Sequence, residues 1–365
     1  NNLAWALAET GKFGQAIRLC QDALEIRRRL GPRYPVALSL NTLAMIQIRN
    51  DRPDQAEELA QRALAIFFEL ENWRGIGMSS RALAEALRRK AWLPYQYTPE
   101  QQEELLRKAR RLADEAVAIF THRVEERSRL IEALIELGCI YRDWVRIHPL
   151  ASALEATARE EMALRAERTL QRAAEEAGET FPHLRVDALV NLAWLYFYAD
   201  RPERAEETVK AVFQSLPADF FITPERGVPR RDLSPAFFWV QIGKAHMLLA
   251  LMAMDRFRSA YERLRAEGKS REEALDATQD LLKEGVEHFT LALAHDVLYA
   301  PDFRDLRRGK DLFYQNLKGM NPAELRLAYE TARQVERECR LDENPARQLL
   351  EEYFGPPEAY EEAVG

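Results

Sequence analysis

The sequence is short of the residues that make tight turns, cross-links and metal sites. Its 365 residues include 15 Gly, 17 Pro, 3 Cys and 6 His. So little Gly and Pro argues against an all-β chain, which needs both at its many turns. Cys20, Cys139 and Cys339 are far apart and odd in number, which excludes a C-x-x-C metal or redox motif and fits reduced thiols in a cytoplasmic setting. No run approaches the ~18 consecutive apolar residues of a membrane helix, and Asn1-Asn2-Leu3-Ala4-Trp5 is no signal peptide. The start reads instead as the inside of a helix, as in a piece of a longer protein. The phosphate loop G-x-x-x-x-G-K-[ST] is missing, because Gly243-Lys244 and Gly309-Lys310 lack the upstream glycine and the following Ser or Thr. G-x-G-x-x-G, G-x-S-x-G and H-E-x-x-H do not occur either. These gaps predict a chain that is not an enzyme and holds no cofactor or metal.

What is present points to helices. Hydrophobic residues make up 47% and charged residues 30%, with a mean hydropathy of -0.41, as in a soluble folded protein. Ala, Leu, Glu and Arg, all strong helix formers, recur throughout. The net charge of -7 has the wrong sign for a dedicated nucleic-acid domain. Much of it lies in residues 351–365, which hold five Glu and no basic residue.

The chain repeats itself. Leu3-Ala4, Gly11, Ala16, Leu19, Ala23, Leu24 and Ile26 return forty residues later as Leu43-Ala44, Asp51, Ala56, Leu59, Ala63, Leu64 and Ile66. Apolar spacings of three and four put the packing side chains on one stripe of each helix. Ala4, Ala16 and Ala23 stand where two antiparallel helices would cross closely. Gly11 and Asn50-Asp51-Arg52-Pro53 supply turns that tolerate positive φ or fix φ. A third copy begins at Leu83-Ala84 and resumes at Ala109, Leu112, Ala116 and Ile119. A fourth runs from Leu137-Gly138 to Ala166, Leu170 and Ala173, and a fifth from Asn191-Leu192-Ala193-Trp194 through Asp200-Arg201-Pro202 to Ala205. Copies three and four carry inserts near residues 91–103, around Trp92-Leu93-Pro94-Tyr95, and near 146–160, around His148-Pro149. These should project from the array or extend its helices.

The pattern decays after residue 214. Residues 215–234, with Pro217, Pro224, Gly227 and Pro229, read as a loop or hairpin. Ser234-Pro235-Ala236 resembles a helix start, opening a divergent sixth pair over 235–310. Asn321-Pro322-Ala323-Glu324 and Asn344-Pro345 mark two more helices, with Glu324 at the third position of a capping box. These belong to a terminal set over 311–365, ending in the acidic tail, that would cap the array.

The stretch from Ala23 to Pro35, followed by Ser39-Leu40-Asn41-Thr42-Leu43-Ala44, resembles the tetratricopeptide repeat, in particular the forty-residue variety of kinesin light chains. The resemblance implies an all-α, right-handed solenoid of antiparallel helix pairs with C-terminal capping helices. It also implies a protein-interaction module that binds a protein, a peptide or another part of its own chain, with no specific nucleic acid and no membrane, and with oligomerisation open to the full-length protein. The Arg-rich array, its inserts and the degenerate Leu298-Tyr299-Ala300-Pro301-Asp302-Phe303 are similar to the C-terminal sensor regions of bacterial STAND-type signalling ATPases, which act in conflict or antiphage systems. The alternatives are a small-ligand-sensing domain of a transcriptional regulator and a general scaffold. In peptide-binding arrays of this family, the first helix of each pair faces the concavity through the residue before the Leu-Ala signature and those three, six and seven places on. Carried over, this names Asn2 and Trp5; Thr42, Met45 and Arg49; Arg88; Glu136 and Arg142; and Asn191, Trp194, Phe197 and Tyr198. Asn2 and Asn191 match the family's backbone-holding asparagine, whereas Thr42 and Glu136 depart from it.

Weaker signals have plainer readings. Glu284, His288 and His295 share a helical face at metal-ligand spacing, but two His and one carboxylate also describe an ordinary helix surface. The runs Arg27-Arg28-Arg29, Arg88-Arg89-Lys90, Arg107-Lys108 with Arg110-Arg111, and Arg304 with Arg307-Arg308 and Lys310 are interleaved with acids, as on a solvated face laced with ion pairs. Cys20 and Cys139 read as small buried residues. Trp194, Phe197 and Tyr198 exceed what packing requires, unless Phe220-Phe221-Ile222 folds back over them.

Overall fold

The computed structural model describes residues 1–92, 96–147, 153–216, 221–223, 228–229, 236–299, 305–341 and 344–360. Several sequence expectations fall outside these residues: Leu93-Pro94-Tyr95, His148-Pro149, the cap Ser234-Pro235, residues 300–303, the end of the acidic tail, and the side chains of Phe220-Phe221-Ile222. The chain divides into two compact units, Asn1–Ser215 and Leu216–Gly365.

The first unit is five antiparallel helix pairs. They are α1 (Asn2–Glu9) with α2 (Phe13–Leu30), α3 (Arg33–Arg49) with α4 (Pro53–Glu69), α5 (Trp73–Ala91) with α6 (Pro99–His122), α7 (Arg127–Ile147) with α8 (Ala153–Ala177), and α9 (Pro182–Tyr198) with α10 (Pro202–Gln214). In the first, second and fifth pairs one turn is used three times. Gly11, Asp51 and Asp200 take φ of 75°, 53° and 60°, the left-handed conformation that Gly and Asp tolerate best. In each case the N–H of that residue and of the next donate back to the last turn of the preceding helix, as Asp51 does to the Ile48 carbonyl and Arg52 to that of Gln47. This satisfies carbonyls that would otherwise lack a partner. Pro53 and Pro202 then open the next helix, where a missing N–H costs nothing.

Small residues set how closely the helices approach. Ala4, Ala16, Ala44, Ala56, Ala84, Ala109, Ala193 and Ala205 are all fully or almost fully buried. In the fourth copy even Ala would be too large, since a Cβ on Gly138 would lie 2.5 Å from Leu170 Cγ. The inserts lengthen second helices: α6 has 24 residues and α8 has 25, against 17 in α4. A capping box starts α6, with the Thr98 hydroxyl accepting from the Gln101 N–H and the Gln101 side chain accepting from the Thr98 N–H.

The second unit begins with a short antiparallel ribbon, β1 (Phe221–Thr223) and β2 (Val228–Pro229). The sixth pair is a hairpin of two helices far longer than those of the repeats, α11 (Ala236–Ala266) and α12 (Arg271–Tyr299). Gly285 lets them meet, since a Cβ there would lie 2.5 Å from Met254 Sδ. Helices α13 (Asp305–Leu317), α14 (Pro322–Glu338) and α15 (Pro345–Phe354) pack on α12. The box at Asn321 and Glu324 forms with both bonds at 3.0 Å, and Asn344 caps α15. Among the described residues no helix is long and apolar enough to cross a membrane.

Gly138→Ala is expected to destabilise the first unit by about 1–3 kcal/mol, the usual cost of overpacking. Urea denaturation with an unchanged midpoint would mean that α7 and α8 do not approach this closely.

Candidate interaction surface on the inner helices

Within the first unit α1, α3, α5, α7 and α9 pack successively on one another as well as on their second helices, whereas α2, α4, α6, α8 and α10 have no comparable contacts among themselves. The first helices therefore form the inner layer, the side from which the family resemblance draws its binding residues. The middle ones are enclosed by neighbours, and in α7 an unbroken run from Ala133 to Asp143 is buried.

Charged side chains within that layer must find partners there, because a buried charge without one is strongly unfavourable. Arg88 on α5 sends its fork across to α7, with Nε 2.6 Å from Glu136 Oε1 and Nη2 3.0 Å from Oε2. Its Nη1 reaches Asp143 Oδ2 at 3.0 Å. Asp143, 0% exposed, also accepts from Arg142 Nε and Nη2 at 2.8 and 2.6 Å. Arg142 Nη1 in turn donates to Asn191 Oδ1 on α9, whose amide nitrogen donates to the Asp187 carboxylate and carbonyl. Towards the second pair the chain of contacts continues through Arg81, paired with Glu85 and Glu132 and in contact with Met45 Sδ. Four of the twelve inner-face residues, Arg88, Glu136, Arg142 and Asn191, thus meet in one buried ladder across three helices.

Proton affinities follow from this packing. Burial opposes the charge of Asp143, and Arg142, Arg88 and Arg146 outweigh it, holding the carboxyl below its ordinary range. Burial likewise opposes ionisation of Glu85, but Arg89, Arg81 and Arg88 hold it down at about 2. At Glu136 burial prevails over the pull of Arg88 and the carboxyl rises to about 6. The two short bonds from Arg88 fit its ionised form at neutral pH.

The other inner-face candidates fall into two groups. At the first pair the Arg49 guanidinium lies 4.5 Å from the Trp5 ring centre and 2.8 Å from Glu9. Thr42 accepts a bond from the Asn1 amide, and Asn2 is exposed. At the far end Trp194, Phe197 and Tyr198 on α9 form a half-buried cluster with ring centres 5.6 to 5.9 Å apart. Arg159 on α8 fixes the helix ends beneath it, donating to the Val145 carbonyl at 3.0 Å and to that of Tyr198.

Some readings need correction. Arg88 does not belong to a solvated face, because the ladder needs it inside. Lys90 is tied to Asp54 and Glu57 at 2.9 and 2.8 Å. The outer runs do carry surface pairs such as Arg107 with Glu103 and Glu104. Asp143, Glu85, Arg81 and Asp187 were missed. The signal available was a charged pair, Arg142-Asp143, inside the otherwise apolar stretch Leu137–Val145. Cys20, Cys139 and Cys339 are buried thiols outside any disulfide, and burial pushes Cys20 up to about 11 and Cys139 up to about 12. Glu284 pairs with Arg256 at 2.7 Å, while His288 faces His246, with Nδ1 atoms 3.1 Å apart. Among the described residues no group of three or more His, Cys, Asp or Glu is arranged to hold a metal ion.

Residues 1–67 match the tetratricopeptide repeat. The match spans α1 to α3 and nearly all of α4, and with the five like pairs it supports a tetratricopeptide-type array. Repeats of this type generally serve as non-catalytic scaffolds for protein interaction. No curated protein matches the chain.

Replacing Arg88 by Met leaves Glu136 and Asp143 without their shared cation and is expected to cost about 3–5 kcal/mol. Little change in the urea midpoint would show that the ladder is not buried. The pH dependence has two opposing parts. Glu85 is depressed, so its contribution is full above its ordinary value near 4.5 and is lost as pH falls towards 2; Glu136 is raised, so its ionisation weakens the fold as pH rises from about 4.5 to about 6. Glu85→Gln should therefore flatten the loss of stability between pH 4.5 and 2 by about 2–4 kcal/mol. Parallel stability–pH curves for the two proteins would contradict this.

Proposed function

We propose that the first unit is a protein-recognition module whose binding end is the aromatic cluster on α9. One contrast carries the reading. Among residues at equivalent repeat positions, Arg88, Glu136, Arg142 and Asn191 are buried and bound to one another, whereas Trp194, Phe197 and Tyr198 keep part of their surface accessible. Aromatic rings on a rigid support supply most of the energy of typical interfaces. The occupant is an apolar segment of a protein or peptide, or another part of the same polypeptide. Buried ion pairs hold the inner layer in one geometry, so little ordering remains to be done on binding.

The setting favoured by the sequence resemblance is the sensor region of a bacterial STAND-type signalling protein, where engagement of the repeats would be passed to a nucleotide-binding switch. The forty-residue spacing and the inserts in the third and fourth copies support it. Remaining inner-face residues, Asn2, Trp5, Thr42, Met45 and Arg49, would then flank the path of the bound segment at the opposite end.

Peptides selected from a display library for binding to this chain test the reading. Trp194→Ala should weaken them at least about tenfold with unchanged melting. A destabilisation of about 3–5 kcal/mol would place the ring in the core instead.

A further inference from the structure

Three of the chain's six histidines lie in the second unit, and the fold brings all three together. His246 stands on α11, and His288 and His295 stand on α12. The His288 and His295 ring centres lie 5.2 and 5.5 Å from that of His246. His246 is 0% and His295 4% exposed, while His288 is half-buried. About one turn along, the same two helices meet through Gly285, Met254 and Ala250. The hairpin can thus close on apolar residues alone, and packing does not account for imidazoles on both sides of the seam.

The Nδ1 atoms of His246 and His288 are 3.1 Å apart. One of them must carry a proton and the other a lone pair, so at least one of the two rings is neutral. At His295, Nδ1 meets the Leu291 carbonyl. A carbonyl only accepts, so the proton sits on Nδ1, and burial keeps this ring neutral by lowering it to about 4. Neutral imidazole is the form that binds metals. Bonds of ~2.0–2.1 Å from one ion to two imidazole nitrogens place those nitrogens about 3.3 Å apart at a tetrahedral angle and about 2.9 Å apart at a right angle. The observed separation falls between the two. Ring centres on one ion would then be roughly 4.5–5.2 Å apart, and those of His246 and His288 are at 5.2 Å. We propose that His246 and His288 bind one divalent ion of the zinc, nickel and copper class through their Nδ1 atoms and so clamp α11 to α12. The ion replaces the shared proton, which its ring then carries on Nε2, and solvent at the half-buried His288 fills the remaining positions. Glu284 stays with Arg256, and His295 is a neutral neighbour rather than a third ligand, since no three such groups converge among the described residues. The clamp lies within the second unit and does not rest on the role of the aromatic cluster in the first.

With two protein ligands the affinity should be modest, on the order of micromolar. Titration of the whole chain with NiCl2 or ZnCl2 in a non-chelating buffer should show one ion bound per chain, and binding should raise the melting temperature. His288→Gln, at a half-buried position, should weaken binding at least about tenfold with helical content retained. His122→Gln and His183→Gln, which remove histidines of the first unit, should leave it unchanged. With Cu2+ as the probe, electron paramagnetic resonance should report two imidazole nitrogens on the ion. No binding up to about 100 µM free ion, binding that survives His288→Gln, or a single imidazole nitrogen would overturn the proposal. Dependence on His122 or His183 would place the ion on the first unit and overturn it equally.

Discussion

Asp143 is fully buried between two arginines, and the inner layer of the first unit depends on how that charge is met. Glu136 and Asp143 are seven residues apart on α7 and so share one of its faces. The Arg88 fork spans both from α5, and Arg142, beside Asp143 on the same helix, passes the contact to Asn191 on α9. A lysine, a point charge without a planar fork, could not satisfy both acids in this way. Such networks seldom add net stability over an apolar core of the same shape, because desolvation of the charges offsets their attraction. What the ladder supplies is uniqueness: sliding α5, α7 or α9 by a turn would leave a guanidinium or a carboxylate buried without its partner.

That requirement decides which residues remain for recognition. A polar side chain on a concave helix can hold a ligand's backbone only if its own neighbours leave its donors or acceptors available. In the third, fourth and fifth pairs the neighbours do not, because the inner helices lie close enough for long side chains of one to reach the next. Small residues likewise bring each inner helix close to its own second helix, as Gly138 does by lacking a Cβ opposite Leu170. Close packing and an internally satisfied polar layer are two sides of one geometry. On the inner face of these pairs, the apolar rings of Trp194, Phe197 and Tyr198 on α9 keep part of their surface accessible.

The helix pairs were legible in the sequence because their determinants are local and recur. The Leu-Ala signature, the alanines at crossings and the Gly or Asp turns act within a few residues of where they stand, and forty-residue periodicity multiplies each signal. The caps at Asn321 and Asn344 were legible for the same reason. The ladder was not, since it joins residues 48 to 55 positions apart whose pairing depends on how adjacent repeats are rotated. Repeat position placed Arg88, Glu136, Arg142 and Asn191 on one face, but nothing in their spacing distinguishes a row of ligand-binding groups from a row that binds itself. Arg88 was hidden twice over, lying in the run Arg88-Arg89-Lys90 whose composition suggests a solvated surface. Glu284 looked like a companion to His288 and His295 because all three share a helical face, but Arg256 on the neighbouring helix takes it, and His246 faces His288 instead.

The insert before α8 shows how an irregularity in a repeat can serve a particular place in the array. It lengthens α8 at its beginning, the end that lies beside the last turns of α7 and α9 in an antiparallel arrangement. Carbonyls in those last turns have no partner further along their own helices. Arg159, which exists only because the helix is extended, supplies donors to two of them, at Val145 and Tyr198. A cation at a helix C-terminus is also favoured by the helix dipole. The bond to Tyr198 holds the final turn of the helix that carries Trp194, Phe197 and Tyr198. The added residues thus order the place where the unit keeps its aromatic surface, and the regular spacing of the first two copies could not have supplied that donor.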